Sequence, residues 1–134
     1  VGENANMLEF FMKPNGAYNL CHFWSNFEIA DLRFWRSPPY LKYFDWLDRN
    51  GGFFYERWGD APVHSLAVGM FLRPDQVHFF DVIVYLHSPF MHCPPSNSCR
   101  KCTCNSLDTF DWSSGSCLRR YLTLYKPKHQ QKGC

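Results

Sequence analysis

The sequence contains no long apolar run, no excess of one charge and no internal repeat. A membrane-spanning helix needs about 20 consecutive apolar residues, whereas the apolar run Val82 to Leu86 is long enough only for a buried strand. The 14 basic and 12 acidic residues leave a net charge of +2, which excludes the basic surface that binds nucleic acid. The absence of a repeat excludes a solenoid or propeller.

Cysteine and aromatic residues, by contrast, are abundant. The chain has seven cysteines, most of them between Cys93 and Cys117. Dense cysteine without helical periodicity is typical of a disulfide-stapled segment in an oxidising compartment. Aromatic residues make up 19% of the chain, and we expect most of them in a core. Two or three are expected to line a sugar site, because the C–H faces of a hexose stack well on aromatic rings.

The apolar periodicity predicts helices interleaved with extended segments, an arrangement typical of an α/β fold. Pro38 suits the first turn of a helix, and Gly51 suits the left-handed position after a helix end. The chain after Pro89 is predicted to be loop-like. The predicted elements are a short helix ending at Met12, an extended run at Asn19–Phe23, helices at Glu28–Arg36, Pro38–Asn50 and Asp60–Leu72, and a strand at Val77–Tyr85.

Two stretches place carboxylates among aromatic residues. Glu28 closely follows Trp24, and Asp60 closely follows Trp58. A buried carboxylate is costly unless it is paired, hydrogen-bonded or bound to a cation, so the two stretches predict a polar pocket. Each acid also has a structural interpretation: Glu28 as an acid stabilised by the dipole of a helix N-terminus, and Asp60 as a helix N-cap.

The two stretches, YNLCHFWSNFEIADL from Tyr18 and GGFFYERWGDAPVHS from Gly51, resemble the signature blocks of the fungal Golgi α-1,2-mannosyltransferases, glycosyltransferase family 15. The resemblance runs from about Leu8 to about Tyr121 and corresponds to the C-terminal part of the family's catalytic domain. It implies a nucleotide-sugar glycosyltransferase fold of type A with a mixed sheet. We therefore expect residues 1–134 to form a single partial domain, a fragment of the parent enzyme, with residues 93–134 as an irregular, disulfide-stapled tail.

The resemblance also implies a function and a set of site residues. The parent enzyme would use Mn²⁺ to transfer mannose from GDP-mannose, with retention of configuration, to a mannose on a glycoprotein glycan. Glu28 corresponds to the family's proposed nucleophile or charge stabiliser, Asp60 to a residue that contacts the acceptor or holds a base, and His87 to a manganese ligand. The expected substrate-binding residues are Trp24, Asn26, Tyr55, Glu56, Arg57 and Trp58.

The resemblance further implies a place in the cell and a common site. It places the parent in the Golgi lumen, as a type II membrane protein whose anchor precedes this chain, in the synthesis of cell wall mannan. We expect Glu28, Asp60 and His87 to converge on one cleft, because helix starts and strand ends are where α/β folds gather ligands.

The cysteine-rich segment has more than one interpretation. Cys104 and Cys117 flank a loop rich in glycine, serine and aspartate, and we expect a disulfide between them. The alternative is a zinc-bound interaction module, formed by Cys93, Cys99, Cys102 and Cys104 with His87 or His92. For the chain as a whole, the alternative to an enzyme is a non-catalytic lumenal carbohydrate-binding remnant that keeps the aromatic pocket.

Overall fold

A computed structural model describes residues 6–94 and 104–125. The chain divides into two compact units, Val1–Val77 and His78–Cys134. The sequence instead predicts a single partial domain, and the tail predicted from Cys93 begins inside the second unit. Most of the predicted site residues lie in the first unit, whereas the strands of the described residues belong to the second.

The first unit is helical. The helix predicted from Glu28 begins only at Leu32, because the Asp31 carboxylate accepts a hydrogen bond from the Arg33 N–H and caps the helix there. The helices predicted from Pro38 and Asp60 are confirmed. The described elements are 3-10 helices at Leu8–Phe11 and Pro74–Gln76 and helices α1 (Leu32–Trp35), α2 (Pro38–Arg49), α3 (Gly52–Tyr55) and α4 (Asp60–Phe71).

Helix α4 lies at the centre of this unit, because small residues let its neighbours approach closely. Its buried residues are Val63, Ser65, Ala67 and Gly69. The 3-10 helix Leu8–Phe11 packs against α4, and the Met7 N–H donates to the Gly69 carbonyl at 2.9 Å. The position of the N-terminal segment is therefore fixed by backbone as well as side-chain contacts.

The core of the first unit is aromatic, as the composition predicts. Phe10 and Phe11 are almost completely buried. The Phe23 ring stacks on Phe10 with centroids 5.6 Å apart and meets Phe11 edge-on at 5.5 Å. The Asn19 side chain folds the chain back over this cluster, because its amide donates to the Phe10 carbonyl and its oxygen accepts from the Cys21 N–H. Phe23 thereby becomes part of the core.

The second unit contains an antiparallel hairpin of strands β1 (Tyr85–His87) and β2 (Phe90–His92), with Tyr85 opposite His92. The predicted strand at Val77–Tyr85 is wrong except at its last residue, because the chain turns where the Asp81 N–H donates to the Phe79 carbonyl. The mixed sheet implied by the resemblance is not present in the described residues, whose sheet has two strands.

The predicted irregular tail contains a helix, α5 (Leu118–Tyr125), which buries Tyr121. Leu118, Tyr121, Leu122 and Tyr125 follow the helical spacing i, i+3, i+4 and i+7, so the signal was present in the sequence. None of the helices in the described parts of the chain is long and apolar enough to cross a membrane.

The disulfide predicted between Cys104 and Cys117 is wrong, because Cys104 is bonded to Cys93. Strand β2 leads directly into Cys93, whose N–H donates to the Thr109 hydroxyl at 3.3 Å. This contact brings Cys93 beside the segment that follows Cys104. Cys117 is also disulfide-bonded, as is Cys21.

These disulfides contradict the zinc module. A cysteine that binds zinc must be a free thiolate, and Cys93 and Cys104 are bonded to each other. The Nδ1 atom of His92 lies 2.8 Å from the carboxylate of Asp111. Burial lowers the pKa of His92, but the hydrogen bond and charge of Asp111, helped by Asp81, outweigh burial and raise it overall. The other two cysteines of the proposed zinc module, Cys99 and Cys102, lie outside the described residues.

We expect Gly69→Ala to destabilise the protein, although alanine is intrinsically the better helix former by about 1 kcal/mol. A Cβ atom at Gly69 would lie 2.6 Å from the Phe11 ring. Because that ring is buried in a packed core, the clash should cost about 1–3 kcal/mol. Thermal unfolding measures the loss. In a Phe11→Leu background the substitution should cost less, and an equal cost in both backgrounds would contradict this packing.

Candidate active site

The segment from Phe23 to Ser25 lies along the N-terminal half of α4. The Phe23 N–H donates to the buried Ser65 hydroxyl at 2.7 Å. Two residues later, the Ser25 hydroxyl donates to Oδ2 of Asp60 at 2.7 Å. These contacts join the two motifs that the sequence identified, since Ser25 lies in the first and Asp60 in the second.

The Glu28 carboxylate is paired with His64 of α4. Nδ1 of His64 lies 3.1 Å from Oε1 and 3.2 Å from Oε2 of Glu28, so one ring nitrogen faces both oxygens. The Glu28 side chain is 38% exposed, which leaves the carboxylate accessible to a ligand. Glu28 lies outside α1, which is capped by Asp31, so its interpretation as a helix N-terminal acid is wrong.

Two aromatic side chains extend the cluster around Glu28. The Trp35 ring lies 4.5 Å from the His64 ring and 4.7 Å from the Tyr40 ring, measured between centroids. Burial raises the pKa of Tyr40, and the negative charge of Glu28 raises it further. Helices α1, α2 and α4 thus each contribute one ring to the surroundings of the carboxylate.

Asp60 is the first residue of α4, and the N-cap is Gly59, so the interpretation of Asp60 as the N-cap is wrong. The hydrogen bond from Ser25 is the main cause that lowers the pKa of Asp60. Burial opposes this shift, whereas the N–H groups of the first turn and the charge of His64 add to it. Asp60 is therefore ionised at neutral pH and accepts hydrogen bonds.

The predicted substrate-binding residues belong to the same two motifs, and their contact with a substrate stays a prediction. Tyr55 is 85% exposed, so its ring faces solvent. Trp58 packs on Gly52, where an added Cβ atom would lie 2.4 Å from the indole. Arg57 has a left-handed backbone with φ 56°, which costs a residue with a side chain about 1–2 kcal/mol. Asn26, Tyr55, Glu56, Arg57 and Trp58 are exposed, and Trp24 is half-buried.

His87 lies in β1 opposite Phe90 and is exposed. Imidazole suits Mn²⁺ as one ligand among oxygens. Within residues 6–94 and 104–125, however, no three His, Cys, Asp or Glu side chains are grouped closely enough to hold a metal ion. The described residues therefore do not form a complete metal site. The metal role of His87 and its convergence with Glu28 and Asp60 stay predictions.

The sequence motifs give no site role to Ser25, Trp35, Tyr40 or His64. For His64 a signal exists, because it follows Asp60 by one helical turn and residues four apart share a helix face. Trp35 and Tyr40 carry no such signal, since their contacts with His64 and with each other depend on how α1, α2 and α4 pack together.

We expect Ser25→Ala to raise the pKa of Asp60 toward its ordinary value, because the Ser25 hydroxyl is the main cause of its depression. The folded-state pKa lies below the unfolded-state value of about 3.9. The interaction therefore stabilises the fold above the unfolded-state pKa, and this stabilisation is lost as the pH falls through the folded-state pKa.

NMR titration of the Asp60 carboxyl carbon measures this shift. Ser25→Thr, which keeps the hydroxyl, serves as the control and should leave the pKa low. An Asp60 pKa unchanged by the alanine substitution would contradict the contact.

The sequence of the chain matches a known protein family. A family model described as glycolipid 2-alpha-mannosyltransferase matches residues 1–126. Glycolipid 2-alpha-mannosyltransferase 2 of Candida albicans is 50% identical over 98% of this chain and 30% of its own length. Alpha-1,2 mannosyltransferase KTR1 of Saccharomyces cerevisiae is 54% identical over 94% of this chain and 33% of its own length. The chain thus spans about a third of the length of these relatives.

Solved structures are similar to the chain as well. The Mn/GDP form of core-mannan synthase A from Aspergillus fumigatus matches with a TM-score of 0.66 and 50% identity, over 75% of this chain and 29% of that protein. The mannosyltransferase Ktr4p of S. cerevisiae in complex with GDP matches with a TM-score of 0.57 and 55% identity, over 60% of this chain and 20% of that one. With its two motifs joined on α4, the chain belongs to glycosyltransferase family 15, the glycolipid 2-alpha-mannosyltransferases.

Proposed function

We propose that the protein is a retaining α-1,2-mannosyltransferase that transfers mannose from GDP-mannose to a mannose on a glycoprotein glycan. The observation that carries this proposal is that the first motif meets α4 twice in a family 15 chain, through Glu28 at His64 and through Ser25 at Asp60. Relatives named as α-1,2-mannosyltransferases and a structural neighbour in a Mn/GDP form support the choice of reaction and donor.

Glu28 is the carboxylate proposed to act at the reacting carbon. In the transfer, the bond between the anomeric carbon and the diphosphate oxygen breaks, and GDP leaves with the electron pair. The acceptor hydroxyl then bonds to the same face of that carbon and gives its proton to an oxygen of the departing diphosphate. A carboxylate beside the anomeric carbon stabilises the positive charge that develops there or bonds to it transiently. The exposure of Glu28 beside polar side chains supports this role.

Asp60 is proposed to bind the acceptor sugar. Its carboxylate is exposed, and its lowered pKa keeps it ionised at neutral pH. An ionised carboxylate only accepts hydrogen bonds, which suits it to sugar hydroxyl groups and not to the role of general acid. Because its partner Ser25 donates to Oδ2, Oδ1 retains acceptor capacity for a ligand. The exposed rings of Tyr55 and Trp58 are proposed to stack on sugar faces nearby.

His87 is proposed as one ligand of Mn²⁺. Its exposed imidazole has the donor chemistry for this metal, and the remaining ligands would come from outside the described residues and from the donor's phosphate oxygens. When bound, the metal would neutralise charge on the leaving diphosphate. What the described residues contribute is a position for the sugar and a carboxylate at its reacting carbon.

The wider setting is part of the same proposal. A type A glycosyltransferase fold with a mixed sheet is proposed for the complete catalytic domain, because the solved relatives extend well beyond the matched part. The disulfide between Cys93 and Cys104 fits an oxidising compartment. We propose the Golgi lumen, with the enzyme as a type II membrane protein acting in the synthesis of fungal cell wall mannan.

We expect Glu28→Gln to lower kcat for mannose transfer by about 100- to 1000-fold or more, because a neutral amide cannot stabilise the developing positive charge. The assay follows transfer from GDP-mannose to methyl α-mannoside by the complete gene product, and NMR of the product gives its anomeric configuration. Asp48→Asn, which changes an exposed carboxylate on α2, is the matched control and should retain activity.

An active Glu28→Gln variant would contradict the role of Glu28. Binding of mannan by the wild-type protein without any transfer would instead support the alternative of a carbohydrate-binding remnant. The proposal requires an α-configured product, because a retaining transfer keeps the configuration of the anomeric carbon, whereas direct displacement would invert it.

A further inference from the structure

We propose that His64 is a positioning residue for Glu28: its Nδ1–H holds the carboxylate in the orientation that the transfer requires. This inference rests on the proposed function. The sequence motifs give His64 no such role. What carries the proposal is the geometry of the pair and the way each partner is supported.

The contact between His64 and Glu28 is nearly symmetric. Nδ1 of His64 lies 3.1 Å from one oxygen of Glu28 and 3.2 Å from the other. A donor centred between both oxygens fixes the position of the carboxylate and the direction in which it points. Because the two oxygens share one donor, each retains lone pairs that can face a reacting carbon.

Glu28 lies in a segment without regular secondary structure. Residues 26–30 form neither helix nor strand, and the side chains beside Glu28 point outward, with Phe27 56% and Ile29 74% exposed. A glutamate in such a segment has many rotamers of similar energy. An oriented carboxylate in this segment therefore requires a partner on a rigid element, and His64 of α4 makes that hydrogen bond.

His64 itself is rigidly held. It lies inside the twelve-residue helix α4, between buried Val63 and buried Ser65, and the Trp35 ring covers it at a centroid distance of 4.5 Å. Charged or titratable groups that face the pair come from α2, through Tyr40, and from α4, through Asp60. The packed core therefore fixes the position of His64, and His64 in turn fixes the position of the Glu28 carboxylate.

This arrangement predicts a specific kinetic signature. Loss of the donor should lower kcat, because the misplaced carboxylate stabilises the transition state less well. The KM for GDP-mannose should change little, since His64 orients the carboxylate and does not bind the nucleotide. The loss of a hydrogen bond to a charged group corresponds to about 10- to 100-fold in rate.

Three substitutions separate positioning from packing in the complete gene product. His64→Asn places an amide N–H where Nδ1 lies, His64→Gln places it where Nε2 lies, and His64→Leu removes the donor while filling the space. We expect kcat to fall about 10- to 100-fold in the glutamine and leucine variants and to be largely preserved in the asparagine variant. His22→Leu, at an exposed histidine bonded to the Leu20 carbonyl, is the matched control and should remain active.

The outcomes are distinguishable. Rescue by asparagine alone, with similar unfolding temperatures for all three variants, supports positioning. Leucine within twofold of the wild-type kcat, or an asparagine variant as impaired as leucine, would overturn the inference while leaving the proposed function standing. If the wild-type protein transfers no mannose, or if Glu28→Gln is fully active, the proposed function fails and the role of His64 fails with it.

Discussion

The hydrogen bond from the Phe23 N–H to the Ser65 hydroxyl fixes the segment that carries Glu28 against α4. Ser65 is 2% exposed, and a buried polar group left without a partner costs about 1–3 kcal/mol. The Phe23 ring at the same time packs against both Phe10 and Phe11. Backbone and side chain of one residue thus determine the register in which Ser25 meets Asp60.

Helix α4 can anchor this segment because it combines small buried residues with polar ones. Ala67 and Gly69 allow the N-terminal segment to approach the helix closely, while Asp60 and His64 lie one turn apart on the side that meets the first motif. Packing and polar contacts therefore agree on one arrangement, which is the condition for a unique site. Both carboxylates remain exposed.

The sequence predicts those parts of the molecule whose cause is local. Helices α2 and α4 follow from their proline and aspartate starts and from the glycine after α2, whereas the site roles that the family motifs imply for Glu28 and Asp60 stay predictions. The Cys93–Cys104 disulfide depends instead on how β2 meets Thr109, and the turn at Asp81 replaces a strand that the apolar run favours. The pair of Glu28 and His64 depends on the packing of α1 and α2 against α4, which no short pattern encodes.

Hydrogen exchange at the Phe23 amide tests most directly whether this segment is held on α4. In the complete gene product we predict slow exchange at Phe23, and in Ser65→Ala we predict fast exchange together with a loss of mannose transfer. Ser114→Ala, at an exposed serine of the second unit, should change neither. A Phe23 amide that exchanges in the wild-type protein as fast as an open loop would contradict the anchoring of the site on α4.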